Sequence, residues 1–164
     1  MTPGWKQWEV RSREVRGNPR WRIPLEYDAW TGVKHPNVPC PRQLSGVPRT
    51  FRNFDVLDVG KAIQERLGIE LHDFYTDISQ CVARAGTFGT RMHICRGSLI
   101  YAYGLDRVLT ERELLCIQGF PAKEMLLSGV PNSQLYSGAG EAMFGISAAV
   151  MVHTLFFMPG AEWL

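Results

Sequence analysis

Residues 110–121 read TERELLCIQGFP, and few stretches of this length restrict a chain so closely. The Thr110 hydroxyl can accept from the amide of Glu113 while the Glu113 carboxylate reaches back to the Thr110 amide. Such a capping box, set just before an apolar run, starts a helix. Leu114, Leu115 and Ile117 give that helix a buried side, and Gly119-Phe120-Pro121 stops it. A second small-residue cluster, Gly138-Ala139-Gly140-Glu141-Ala142-Met143, leads into a long apolar segment.

The same signals place the neighbouring elements. Pro121 to Leu127 is expected to form a short helix, with Pro121 in its first turn and Gly129 past its end. Asn132 or Ser133 can cap the next helix. The apolar stretch Ala142 to Met158 is broken by Gly145, Ser147, His153 and Thr154. It is too short and too mixed for a membrane span of about 20 residues, and predicts a buried amphipathic helix needing a cover. Upstream, Asp73–Ile78 and Ser98–Tyr103 are short, aromatic and apolar, as strands are, with turn chemistry at Gly86–Thr90 between them. Asp58 reads as the cap of a helix over Lys61–Leu67, with Gly68 beyond its end. His72 and His93 are isolated and carry no catalytic assignment.

Residues 1–52 differ from the rest. They hold ten basic and four acidic residues, a net +6, and since the whole chain carries +2 the remainder carries −4. Four of the five tryptophans and seven of the ten prolines also fall there. Prolines remove backbone donors and restrict the residues before them, so long regular elements are not expected in this stretch. It is expected to be an irregular basic arm, 1–52, ahead of a folded region, 53–164. Arginine interleaved with tryptophan suits phosphate pairing and base stacking. Arg11, Arg13, Arg16, Arg20 and Arg22 are the candidate nucleic-acid contacts, against the plainer reading of a solvated arm docked by its tryptophans.

A chain of 164 residues can bury about two thirds of its unfolded surface, enough for one domain. Its four cysteines, at 40, 81, 95 and 116, form no C-x-x-C pair, which argues against zinc. The charged N-terminus carries no secretory pattern. Reduced thiols in an intracellular setting, nuclear or cytoplasmic, are therefore the expectation.

Taken together, Arg107-Val108-Leu109-Thr110-Glu111-Arg112-Glu113 and Gln118-Gly119-Phe120-Pro121 resemble a late block of the cytosine-5 DNA methyltransferases, of the form R-x-L-T-x-R-E-x-x-x-x-Q-G-F-P. Gly140-Glu141-Ala142-Met143 resembles that family's final G-N-A-V block, with glutamate in place of asparagine and methionine in place of valine. Asp77-Ile78-Ser79-Gln80 and Ala83-Arg84-Ala85-Gly86-Thr87 resemble the approach to the first block. The likeness runs over roughly residues 77–157.

The resemblance implies an α/β fold, the C-terminal portion of a partial Rossmann-like methyltransferase, with short strands followed by packed helices. It implies that Gly140, Glu141 and Ala142 line an S-adenosylmethionine pocket. Glutamate there weakens binding unless a cation or the cofactor's amine compensates, because it only accepts hydrogen bonds and adds negative charge beside the cofactor's carboxylate. Arg107, Thr110, Arg112, Glu113 and Gln118 would support the fold around the first block. The family's catalytic parts are missing. Val38-Pro39-Cys40-Pro41 has proline where the nucleophile loop has glutamine, and no Glu-Asn-Val follows. Val56-Leu57-Asp58-Val59-Gly60 is similar to the opening of a cofactor fold but lacks the second glycine. No catalytic residue is assigned. The chain is expected to be part of a DNA (cytosine-5-)-methyltransferase-like protein, active only beside a complementary half, or else a non-catalytic module binding nucleic acid or protein. DNA and a protein covering the C-terminal apolar segment are the expected partners, and a membrane is not.

Overall fold

The computed structural model describes residues 3–20, 23, 30–33, 39–79, 84–88 and 92–142, with side chains from residue 10 onward. They fall into two compact units, one of residues 1–93 with 98–109, the other of residues 94–97 with 110–164. The described residues combine four helices with a small antiparallel sheet, a mixed α/β architecture.

The first unit begins with helix α1, Pro3–Gly17. This corrects the expectation of an irregular arm. Pro3 sits at the first helical position, where a missing N–H costs nothing, and the next proline comes only at residue 19. Proline content averaged over 52 residues concealed a 15-residue stretch that is compatible with a helix.

Helix α2 spans Phe51–Leu67. Thr50 caps it, accepting from the Asn53 amide at 3.4 Å, and Gly68 closes it in the left-handed region with φ 64°. The stop is where the sequence places it; the start is not. Asp58 is no cap but lies in the middle of α2, buried.

Four strands follow: β1 (Tyr75–Asp77), β2 (Arg84–Gly86), β3 (Ile100–Ala102) and β4 (Arg107–Val108). Their order is β2-β1-β3-β4, antiparallel throughout, with Thr76 opposite both Ala85 and Tyr101, and Tyr101 opposite Val108. Leu57 of α2, Phe74, Ile78 and Tyr101 are fully buried in this core. Side chains of this kind each stabilise the fold by roughly 1.5–3 kcal/mol.

Gly60 lets α2 lie close to the sheet. A Cβ there would collide with the Tyr103 hydroxyl and with Thr76 Oγ1. Both oxygens are already engaged, since the Tyr103 hydroxyl donates to the Leu57 carbonyl at 2.6 Å and lies 3.2 Å from Thr76 Oγ1. The acidic-x-glycine pattern of residues 58–60 is thus an element of helix–sheet packing.

The second unit holds helices α3 (Glu111–Ile117) and α4 (Asn132–Glu141). Among the described residues, Leu114, Leu115, Ala122, Leu135 and Ala139 are its buried apolar side chains. The helix expected over Pro121–Leu127 is a series of turns instead. The Glu124 and Met125 amides both donate to the Pro121 carbonyl, and no helical ladder follows. Pro131, not Asn132 or Ser133, occupies the cap position of α4, which has no side-chain cap bond. The apolar helix expected from Ala142 to Met158 lies outside the described residues from 143 onward.

Candidate functional site

Local chemistry builds α3. Thr110 Oγ1 accepts from the Glu113 amide at 3.3 Å, and the Glu113 carboxylate accepts from the Thr110 amide at 2.8 Å, so the capping box is present in both directions. At the other end the Gly119 amide donates to the Cys116 carbonyl and the Phe120 amide to the Leu115 carbonyl, with Gly119 at φ 85°. That pair of bonds is a Schellman ending, which requires a residue able to adopt the left-handed conformation.

The ending places Gln118. Its side-chain amide donates to the Ala139 carbonyl at 3.1 Å, so the Q-G-F-P segment meets the last turn of α4. The next residue, Gly140, faces the Ile94–Gly97 segment so closely that a Cβ would overlap the Cys95 carbonyl and the Arg96 amide nitrogen. Glu141, last in the helix, pairs with Arg96 at 3.2 Å, both side chains being more than half exposed. Arg96 is therefore the cation beside Glu141, a compensating charge 45 positions away that the sequence reading did not identify. Ala142 is half-buried, and its amide donates to the Gly138 carbonyl. The structure thus brings Gln118, Gly140, Glu141 and Ala142 into one unit, with Thr110 and Glu113 at the far end of α3.

The remaining first-block residues are placed separately. Arg112 is exposed on α3. Arg107 belongs to the first unit, on β4, half-buried, and donates to the Val108 carbonyl at 3.1 Å.

Of the arginines considered for nucleic acid, Arg11 and Arg13 are exposed on α1. Arg16 is not placed for that work. It is buried and ion-paired with Asp55 of α2, which also accepts from Ser12 at 2.6 Å. The Arg20 backbone amide bonds to the Asn18 side chain, and Arg22 lies outside the described residues. Cys40 is buried, with its thiol 3.4 Å from the Thr31 carbonyl, an environment for a structural cysteine and not for an exposed nucleophile.

Two carboxylates in the first unit hold polar networks that the sequence reading did not single out. Asp77, fully buried at the end of β1, accepts from the Ser79 amide and hydroxyl at 2.9 and 2.6 Å, the Ser98 hydroxyl at 2.9 Å and the Leu99 amide at 3.3 Å. The local part was visible as an Asp-x-Ser turn, but the donors from residues 98–99 were not. Asp58 accepts from the amides of Trp30 and Thr31 at 2.9 and 2.8 Å and from the Thr31 hydroxyl at 2.6 Å. Burial outweighs these donors and pushes its carboxyl up to about 6. Trp30 also donates its indole N–H to the Tyr101 hydroxyl at 3.0 Å, and Tyr101 donates to Asp106. Arg42 closes the cluster, lying over the Trp30 ring at 3.8 Å and pairing with Asp106 at 3.0 Å. Burial first, and then the bond to Asp106, drives the Tyr101 phenol well above its ordinary range.

Among the described residues no group of three or more His, Cys, Asp or Glu side chains could hold a metal ion, and no helix is long and apolar enough to cross a membrane. No protein-family model and no curated protein matches the chain.

Proposed function

We propose that this chain is the C-terminal portion of a DNA (cytosine-5-)-methyltransferase-like protein, contributing to S-adenosylmethionine-dependent methyl transfer only beside a complementary half. The observation that supports this most is the bond from Gln118 to the Ala139 carbonyl. Two segments that resemble one family, joined by a run of turns and by α4, meet side by side in one unit. Thr110 and Glu113 act as helix caps in this reading, and Gln118 as the tie between blocks. The cofactor-facing residues are Gly140, Glu141 and Ala142. The described sheet is antiparallel, whereas a Rossmann-like cofactor sheet is mostly parallel. The Rossmann-like part therefore falls to the complementary chain, and so do the nucleophile and the carboxylate needed for attack on cytosine.

Calorimetric titration with S-adenosylmethionine and S-adenosylhomocysteine, on the natural chain and on Glu141→Asn, tests the reading. The Asn variant removes a negative charge and leaves Arg96 to face the cofactor carboxylate, so it binds more tightly than the natural chain. Absence of heat in both proteins, with circular dichroism showing both folded, removes the cofactor assignment.

A second reading, a non-catalytic nucleic-acid-binding module, draws on Arg11 and Arg13, each exposed on α1. Salt-sensitive DNA binding that weakens in an Arg11→Ala, Arg13→Ala double variant supports it. Binding unchanged in that variant excludes Arg11 and Arg13 as the contacts.

A further inference from the structure

We propose that Arg96 recognises the carboxylate of the bound cofactor, and that Glu141 is an internal carboxylate competing for it. The proposal rests on the cofactor reading of Gly140, Glu141 and Ala142, and adds a residue that the resemblance does not supply. Residues 94–97 lie in the second unit, although the chain up to residue 93 and from 98 to 109 lies in the first. They meet α4 at Gly140, where a Cβ would overlap the Cys95 carbonyl and the Arg96 amide nitrogen. Glycine at 140 permits that close approach, and Gly97, at φ 73°, turns the chain immediately afterwards. The root of the Arg96 side chain is thereby fixed against the last turn of α4, at a residue assigned to the pocket.

From that root the guanidinium reaches Glu141, with Arg96 Nε 3.2 Å from Glu141 Oε1 and both side chains more than half exposed. Among the described residues Glu141 is the partner of Arg96, and it engages Nε, leaving the donors on Nη1 and Nη2 open. Those donors form a planar fork that matches a carboxylate through two parallel bonds. The position also demands a cation. Glu141 is the last residue of α4, and the carbonyl end of a helix disfavours negative charge. An anion settles there only beside a positive group, and Arg96 supplies one. The Glu141 carboxylate already occupies such a place, standing where a ligand carboxylate would bind. An exposed ion pair of this kind is weak, so a ligand gripped by the fork can displace it.

Calorimetric titration of the whole chain with S-adenosylmethionine and with its decarboxylated form, which lacks only the carboxylate, tests the assignment. Arg96→Gln removes charge and fork from an exposed position. It weakens S-adenosylmethionine binding about tenfold and leaves the decarboxylated form bound no more weakly than by the natural chain. Arg96→Lys keeps the charge without the fork and falls between. Glu141→Asn tightens S-adenosylmethionine binding about two- to fivefold, the worth of an exposed ion pair expressed as affinity. That gain disappears when Arg96→Gln is added. An Arg96→Gln chain that binds S-adenosylmethionine as the natural chain does overturns the proposal and leaves the cofactor reading standing. Equal weakening toward both ligands makes Arg96 a structural residue and overturns the proposal as well. Absence of heat with either ligand in the natural chain and in Glu141→Asn, both folded by circular dichroism, removes the cofactor reading and the proposal with it.

Discussion

The Gln118 side-chain amide donates to the carbonyl oxygen of Ala139 at 3.1 Å, so the residue that ends α3 is bonded to the last turn of α4. Removing it in Gln118→Ala leaves a carbonyl without that partner and destabilises the second unit by about 1 kcal/mol. Gln118→Glu places a charged acceptor against an acceptor and costs more at neutral pH than at pH 4. Urea unfolding of the two variants at both pH values checks the order.

Gly140 and Gly138 lie two residues apart on α4 and make opposite predictions. A methyl group at Gly140 meets the backbone of Cys95 and Arg96, which cannot rotate aside, whereas nothing lies within 4 Å of one at Gly138. Gly140→Ala therefore costs roughly 1–3 kcal/mol through overpacking. Gly138→Ala is neutral or stabilises by up to about 1 kcal/mol, because alanine loses less backbone entropy in a helix. Thermal melts of the two single variants separate the cases.

Asp77→Ala takes the acceptor from four donors, among them the buried Ser98 hydroxyl. Each lost hydrogen bond costs about 0.5–1.5 kcal/mol, so the first unit loses on the order of 3 kcal/mol. Asp77→Asn keeps Oδ1 for the Ser79 and Leu99 donors and requires only that the Ser98 hydroxyl turn to accept. It is the milder change, and denaturant midpoints of the pair test this ranking.

Burial of Asp58 makes global stability depend on pH. The favourable contribution of the neutral carboxyl is fully present below about 3.8 and is lost as pH rises through about 6. Asp58→Asn, which stays neutral, stabilises the chain at pH 8 by up to about 3 kcal/mol and by less at pH 5. Chemical denaturation at the two pH values measures the difference.

Glu141→Asn removes the ion pair with Arg96, but both side chains are more than half exposed. Pairs of that kind contribute about 0–1 kcal/mol, so the variant melts within a few degrees of the natural chain. A large loss of stability places Glu141 in an unexpected structural role.

By itself the sequence determined those elements whose signals are short-range. The reciprocal cap at Thr110 and Glu113, the glycine-dependent ending at Gln118-Gly119-Phe120 and the stop of α2 at Gly68 satisfy their own backbone within a few residues, and the strands around Tyr75–Asp77 and Ile100–Ala102 show in their aromatic, apolar runs although they bond to each other across the chain. What it did not determine depends on distant partners. Asp58 has the chemistry of a helix cap, and it becomes a buried acceptor because residues 27 and 28 positions earlier bring it three donors. Arg16 has the chemistry of a phosphate contact, and Asp55 draws it inside. Glu141 finds its cation in Arg96, and Gln118 its acceptor in Ala139, only after the chain has turned back on itself. A polar side chain carries the same donors and acceptors in every fold, so its role is set by whichever partners tertiary packing brings to it.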